Sequence, residues 1–222
     1  MTRRTAKPSA AFKRDPDDLP HDLPEADATT AFAGTDIRIA ELALHGIRLP
    51  EAASLDSLRL DSCLLRTVAM PGAEIRSAKW KDVRFSGCDL ANAEVRALTA
   101  IRVEFAGCRM TGLRLNEAAW QNVLVSGGDQ RYAQFRFSVL QHTEFEDCDF
   151  QDADFYGADL RGCIFRACNL RNAEMSKAKL DGADLRGSNI DGLRLAASDV
   201  AGAIVDAAQA LSLAPLLGIR IL

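Results

Sequence analysis

From residue 153 the chain reads Ala153-Asp154-Phe155-Tyr156-Gly157-Ala158-Asp159-Leu160-Arg161-Gly162, and the phrase returns at Ala183-Asp184-Leu185-Arg186-Gly187. Its period is five. Taking Phe155 and Leu160 as members of one column, called i, every fifth residue can be followed outward to Leu55 and to Val205. Of the 31 residues in that column, 30 are apolar, and Gln130 is the exception. A helix requires a period of 3.6 and an ordinary strand a period of 2, so neither accounts for the pattern. Five residues suit a short extended piece, with i−2 and i inward and i−1 outward, followed by a two-residue corner.

Glycine marks the corners. Between Leu55 and Val205 there are twelve glycines, and eleven stand at i+2. That position needs an uncrowded backbone or positive φ, which glycine supplies without steric cost. The i−2 column holds small or soft residues, among them all six cysteines: Cys63, Cys88, Cys108, Cys148, Cys163 and Cys168. Upstream, Ile39, Leu44 and Leu49 keep the beat, but Leu49 to Leu55 spans six residues with Pro50 between them, which predicts a one-residue bulge.

The quoted segments resemble the A(D/N)LXX signature of pentapeptide-repeat proteins, over about residues 36–205. The resemblance implies an all-β fold, a right-handed quadrilateral β-helix with twenty residues per coil. Coils of that length place Trp80, Ala100 and Trp120 in one stack, pair Phe85 with Phe105, and pair Phe145 with Phe165. Residues 1–35, with five basic and six acidic side chains and Pro8, Pro16, Pro20 and Pro24, read as a flexible tail. Residues 206–222 read as a short helical cap. Asp206 and Gln209 have capping-box spacing, Pro215 divides the helix, and Gly218 suits a C-terminal cap. The cap would cover the open strand edges at that end.

The search for chemistry returns little. With 27 basic and 31 acidic residues the formal net charge is −4, which argues against direct nucleic-acid binding. No apolar run is long enough for a membrane span, and no leader pattern for secretion is evident, so a cytoplasmic location is expected. No Cys-x-x-Cys occurs, and the i−2 cysteines are read as reduced packing residues. His21, His45 and His142 have no second ligand at metal spacing. The pairs Asp147/Asp149 and Asp152/Asp154 mimic a D-x-D motif, but the residue between each pair points inward. No catalytic residue, metal or cofactor is expected, and the chain is not expected to be an enzyme.

Two surface features remain as candidate sites. Between Phe137 and Leu160 there are seven acids and no Lys or Arg. Glu144, Asp149, Asp154 and Asp159 stand at i−1 on successive sides, and with Glu146 they form an acidic belt. At the C-terminus, Leu211, Leu213, Leu216, Leu217, Ile219 and Ile221 supply an apolar segment. Its sequence, Val205-Asp206 with Gln209-Ala210 and Leu217-Gly218-Ile219, looks similar to the end of the MfpA and Qnr-type members of the family. That resemblance implies a homodimer joined there, and a rod that mimics DNA and binds DNA gyrase, protecting it from quinolones. The alternative is a scaffold or interaction module with an unrelated bacterial protein partner. At Gly127-Gly128-Asp129-Gln130, either the coil bulges or a hydrogen-bonded glutamine sits inside; a local kink without its own function is expected.

Overall fold

The structure, a computed structural model, describes residues 23–25 and 32–220, and of Leu217 the backbone only. His21, Ile221 and most of the expected tail lie outside the described residues. The strands in chain order are β1 (Asp36–Ala40), β2 (Ala43–His45), β3 (Ser54–Leu55), β4 (Ser57–Arg66), β5 (Glu74–Ile75), β6 (Ala78–Ser86), β7 (Glu94–Val95), β8 (Leu98–Ala106), β9 (Ala119–Ser126), β10 (Val139–Glu146) and β11 (Ile164–Arg166). A helix, α1 (Ala207–Leu213), and a 3-10 turn (Ala214–Leu217) follow.

All pairings are parallel and join each coil to the next. One sheet runs β1-β4-β6-β8-β9-β10-β11 with β2 beside β4, and a second runs β3-β5-β7. The register is twenty: Leu60 faces Trp80, Trp80 faces Ala100, Ala100 faces Trp120, and Trp120 faces Leu140. Elsewhere single bridges continue the same step, as from Asp89 to Arg109, Asp129 and Asp149. The chain is therefore the four-sided β-helix that the repeat implies. The first face carries Trp80 and Trp120 inward, the second Phe85 and Phe105, the third Met110 and Phe150, and the fourth Phe135 and Phe155. The coil containing β1 and β2 pairs at a register of 21, as Ile39 with Leu60 and Leu44 with Leu65. The extra residue does not bulge a strand. It enlarges the corner Pro50–Ala52, where Ala52 has φ 55° and Ala53 N–H donates to Pro50 O at 3.2 Å.

The interior is solid. Trp80 and Trp120 are each 1 % exposed with Ala100 between them, the large-small-large filling that close packing requires. Phe85 and Phe105 stack at 4.9 Å, and Phe145 and Phe165 at 4.7 Å. Each such ring, fully removed from water, stabilises the fold by about 1.5–3 kcal/mol. All six cysteines are free and buried. Their thiols donate to carbonyls of the preceding coil, as Cys88 to Leu65 O at 3.4 Å and Cys168 to Phe145 O at 3.4 Å. Burial pushes the Cys163 thiol up to about 12, so it stays protonated near neutrality.

Glycine is only part of the corner chemistry. Positive φ also occurs at non-glycine corner residues, including Asn92, Glu117, Tyr132 and Phe137. Left-handed backbone costs an L-residue about 1–2 kcal/mol. The hydrogen bond offsetting it runs from the corner amide to the next coil, as Asn92 N–H to Thr111 O and Glu117 N–H to Arg136 O, both 2.8 Å.

At the irregularity the phase of five survives, and Gln130 is fully buried with Nε2 donating to Gly127 O at 2.8 Å. The hydrogen-bonded alternative is therefore the one the fold adopts. Gly128 explains why the coil can pass there: a Cβ on it would lie 2.1 Å from Cys108 O.

Candidate interaction surface

With i and i−2 filling the interior, the polar side chains of the coils are presented at face centres (i−1) or corners (i+1, i+2), apart from the buried Gln130, Ser138, Thr143 and Ser188. Among the described residues no three His, Cys, Asp or Glu side chains converge as a metal site. None of the described helices is long and apolar enough to cross a membrane. His45 and His142 are exposed at corners.

The belt acids point in four directions, one per face, so a flat partner meets one or two of them at a time. Each carboxylate is already engaged. Glu144 ion-pairs with Arg166, and Glu146 lies 2.9 Å from the same guanidinium. Asp149 accepts from Asn169 Nδ2 at 2.8 Å and lies 3.7 Å from Arg131. Asp154 pairs with Arg136 at 2.6 Å, and Asp159 with Arg161 at 2.7 Å and Lys179 at 3.5 Å. The hydrogen bonds from Arg161 hold the Asp159 carboxyl below its ordinary range, whereas burial lifts that of Glu144 despite Arg166. The cations come from coils above and below, twenty or so residues away, or from the corner two residues on. A search for Lys and Arg within residues 137–160 therefore misses them.

The C-terminal segment divides. Asp206 and Gln209 form the reciprocal capping box, both bonds 3.0 Å. Gln209 does a second job that its spacing did not signal: Nε2 donates to Leu185 O at 2.6 Å and to Ser188 O at 2.7 Å, covering carbonyls of the last full coil. Leu213 is buried in the core. Leu211, Leu216 and Ile219 are exposed, as is Ile204 nearby in sequence. Nothing is described of the Leu217 side chain, and Ile221 lies outside the described residues.

A third feature was absent from the reading of the sequence. Tyr132 and Phe137 are each 55 % exposed, and Val139 is 39 % exposed. Phe137 meets Tyr156 edge to face at 5.6 Å. Arg136 and Lys177 lie over the Tyr156 ring at 5.7 and 5.2 Å. The signal was available: Tyr132, Phe137 and Tyr156 are aromatic residues in the corner columns, which apart from Ile101 otherwise hold small or polar residues.

Family models match the chain twice, a pentapeptide repeat region over residues 78–155 and pentapeptide repeats over residues 168–204. No curated protein matches. Among solved structures, the chain is similar to full-length QnrB1, a plasmid-mediated fluoroquinolone resistance protein, at 22% identity over 88% of this chain and 95% of that one, with a TM-score of 0.40. It is also similar to HetL, a pentapeptide repeat protein involved in heterocyst differentiation regulation in the cyanobacterium Nostoc sp. strain PCC 7120. That match has 19% identity over 83% of this chain and 95% of HetL, with a TM-score of 0.31.

Proposed function

We propose that this chain, which belongs to the pentapeptide-repeat family, is a non-enzymatic rod that binds a protein partner through its outer surface. The observation carrying this reading is the exposed Phe137 packed on the half-buried Tyr156, with exposed Val139 two residues on and Tyr132 one corner away, on a body whose interior is filled. Aromatic side chains flanked by arginine are the residue types enriched where proteins meet. A packed core leaves no internal chamber for a substrate. The depression between Phe32, Gly46, Ile47 and Leu55 is open to solvent; Ser54 and Arg48 are the polar side chains lining it, with no His, Asp, Glu, Lys or Cys in the lining to serve as a base for the serine. The test is capture of a bacterial partner by the immobilised chain and by its Phe137→Asn variant. Asparagine tolerates the left-handed backbone at this corner, so the rod remains folded while the ring is lost. Equal retention by both proteins would sink the reading.

A second reading names the partner as DNA gyrase and the assembly as a homodimer. What supports it is the C-terminal end, where the segment resembling MfpA and Qnr-type members leaves Leu211, Leu216 and Ile219 exposed. An apolar end of this kind suits a two-fold contact with a second copy. The paired state of the belt acids argues against a DNA mimic built on Glu144, Asp149, Asp154 and Asp159. Titration into a gyrase supercoiling reaction, with and without a quinolone, tests this: rescue under drug supports it, and an unchanged reaction overturns it.

A further inference from the structure

On most of this rod, charge is matched from coil to coil. Arg84 grips Glu104 through bonds of 2.9 and 2.8 Å, Arg102 grips Asp82 at 2.6 Å, and Arg114 holds Glu94 at 2.8 Å. Where two acids stack, as Asp129 on Asp149, the Arg131 guanidinium lies 2.6 Å from one and 3.7 Å from the other. The first face breaks this rule at its N-terminal end. Arg38 faces Arg59, and Arg59 faces Lys79, all three exposed and outward at face centres. Among the described residues no carboxylate is within ion-pair distance of any of them. The nearby acids are committed elsewhere: Asp36 to Ser57 at 2.9 Å, Asp56 to Arg76 at 3.0 Å, and Asp61 and Asp82 to Lys81 at 3.8 Å each. Stacked strands are about 4.8 Å apart, so three cations stand within about 10 Å of the rod's length. Like charges directly opposite on neighbouring strands destabilise a sheet.

We propose that this cation ladder is the docking site of the acidic segment Asp15–Asp22 of the chain itself. The segment reads Asp15-Pro16-Asp17-Asp18-Leu19-Pro20-His21-Asp22, four carboxylates without a Lys or Arg. It ends where the ladder begins. Pro24 O accepts from Ala43 N–H at 3.0 Å and Glu25 bridges to Ala43, so the chain enters beside β2, just past the corner that closes β1 and its Arg38. Eight residues reach about 26 Å when extended, more than twice the length of the ladder. A tether this short gives a millimolar effective concentration, enough for exposed ion pairs that would not hold an untethered peptide. The seated segment covers the N-terminal half of the first face, and a partner reading that half displaces it.

Zero-length carbodiimide cross-linking of the full chain at low salt, read by mass spectrometry, tests this. The expected product joins a carboxylate of Asp15–Asp22 to Lys79, within one chain and at a yield independent of dilution. Raising the salt to 0.5 M, or reversing Arg38→Glu with Arg59→Glu, should lower that yield about tenfold, since both remove exposed charge attraction. Replacing Asp15, Asp17, Asp18 and Asp22 by Asn leaves the rod untouched and should abolish the product, whether or not the reversed rod folds well. Links from the segment to Lys7 or Lys13 instead, links only between isotopically mixed chains, or no link to Lys79 would each overturn the proposal.

Discussion

Gly128 gives the sharpest test of how the coils pack. Its φ is +88°, and an added Cβ would sit 2.1 Å from Cys108 O and 3.0 Å from Cys108 C and N. These are backbone atoms, so no side chain can swing away. Cys108 O is also the acceptor for Asp129 N–H at 3.2 Å, so relief of the clash strains a bond between coils. Gly107 is the internal control: its φ is +58°, and a Cβ there meets nothing within 4 Å. Gly107→Ala should cost only the left-handed backbone penalty, about 1 kcal/mol. Gly128→Ala adds overpacking of about 1–3 kcal/mol and the weakened hydrogen bond, for a total of about 3–5 kcal/mol. Urea unfolding followed by tryptophan fluorescence and far-ultraviolet circular dichroism supplies the numbers, and coincidence of the two signals checks that a single transition is being read. A Gly128→Ala protein within about 0.5 kcal/mol of Gly107→Ala would refute the packing argument.

Other consequences can be checked separately. Gln209→Ala removes half the capping box and both bonds to Leu185 O and Ser188 O. It should weaken the C-terminal end by about 2–3 kcal/mol, visible as faster amide exchange over residues 204–218 with the central coils unchanged. Asp129 is held at about 2, below its ordinary 3.8, chiefly by hydrogen bonds from Arg131. Its folded pKa is depressed, so its contribution is present above pH 3.8 and is lost as pH falls through about 2. Arg131→Ala should return the Asp129 titration, followed by carboxyl NMR, towards its ordinary value. The proposed C-terminal two-fold contact requires a dimer in sedimentation that Leu211→Asp with Ile219→Asp, altering exposed positions only, converts into a monomer with the circular dichroism spectrum retained; a native chain that sediments as a monomer would refute that contact.

The fold was legible because five is an unusual period and the chain repeats it for some 150 residues. The i and i−2 columns fix the inward residues, and stacks such as Trp80-Ala100-Trp120 follow once a coil has four sides. Handling of the slip at Pro50 was less legible, since a six-residue interval does not say whether a strand or a corner absorbs the extra residue. Gln130 left two readings open, because its Nε2 finds Gly127 O only through the path that the backbone takes at the corner. Surface chemistry was harder still. Acidity judged along the chain ignores neighbours one coil away, so Glu144 and Glu146 look free in sequence although Arg166 lies between them in space. The same blindness hid the contact of Phe137 with Tyr156, nineteen positions apart in sequence and adjacent on the rod.

The most direct test of the account is the affinity of the captured partner, gyrase first among candidates, for the native chain and for variants disturbing one site each: Phe137→Asn at the aromatic corner, Arg109→Glu on the third face, and Leu124→Glu on the second. The account predicts that Phe137→Asn weakens binding at least about tenfold, as loss of an interface anchor does, while the other two stay within a few-fold of the native chain. Undiminished binding by Phe137→Asn, or equal loss in all three variants with the fold intact, would contradict it.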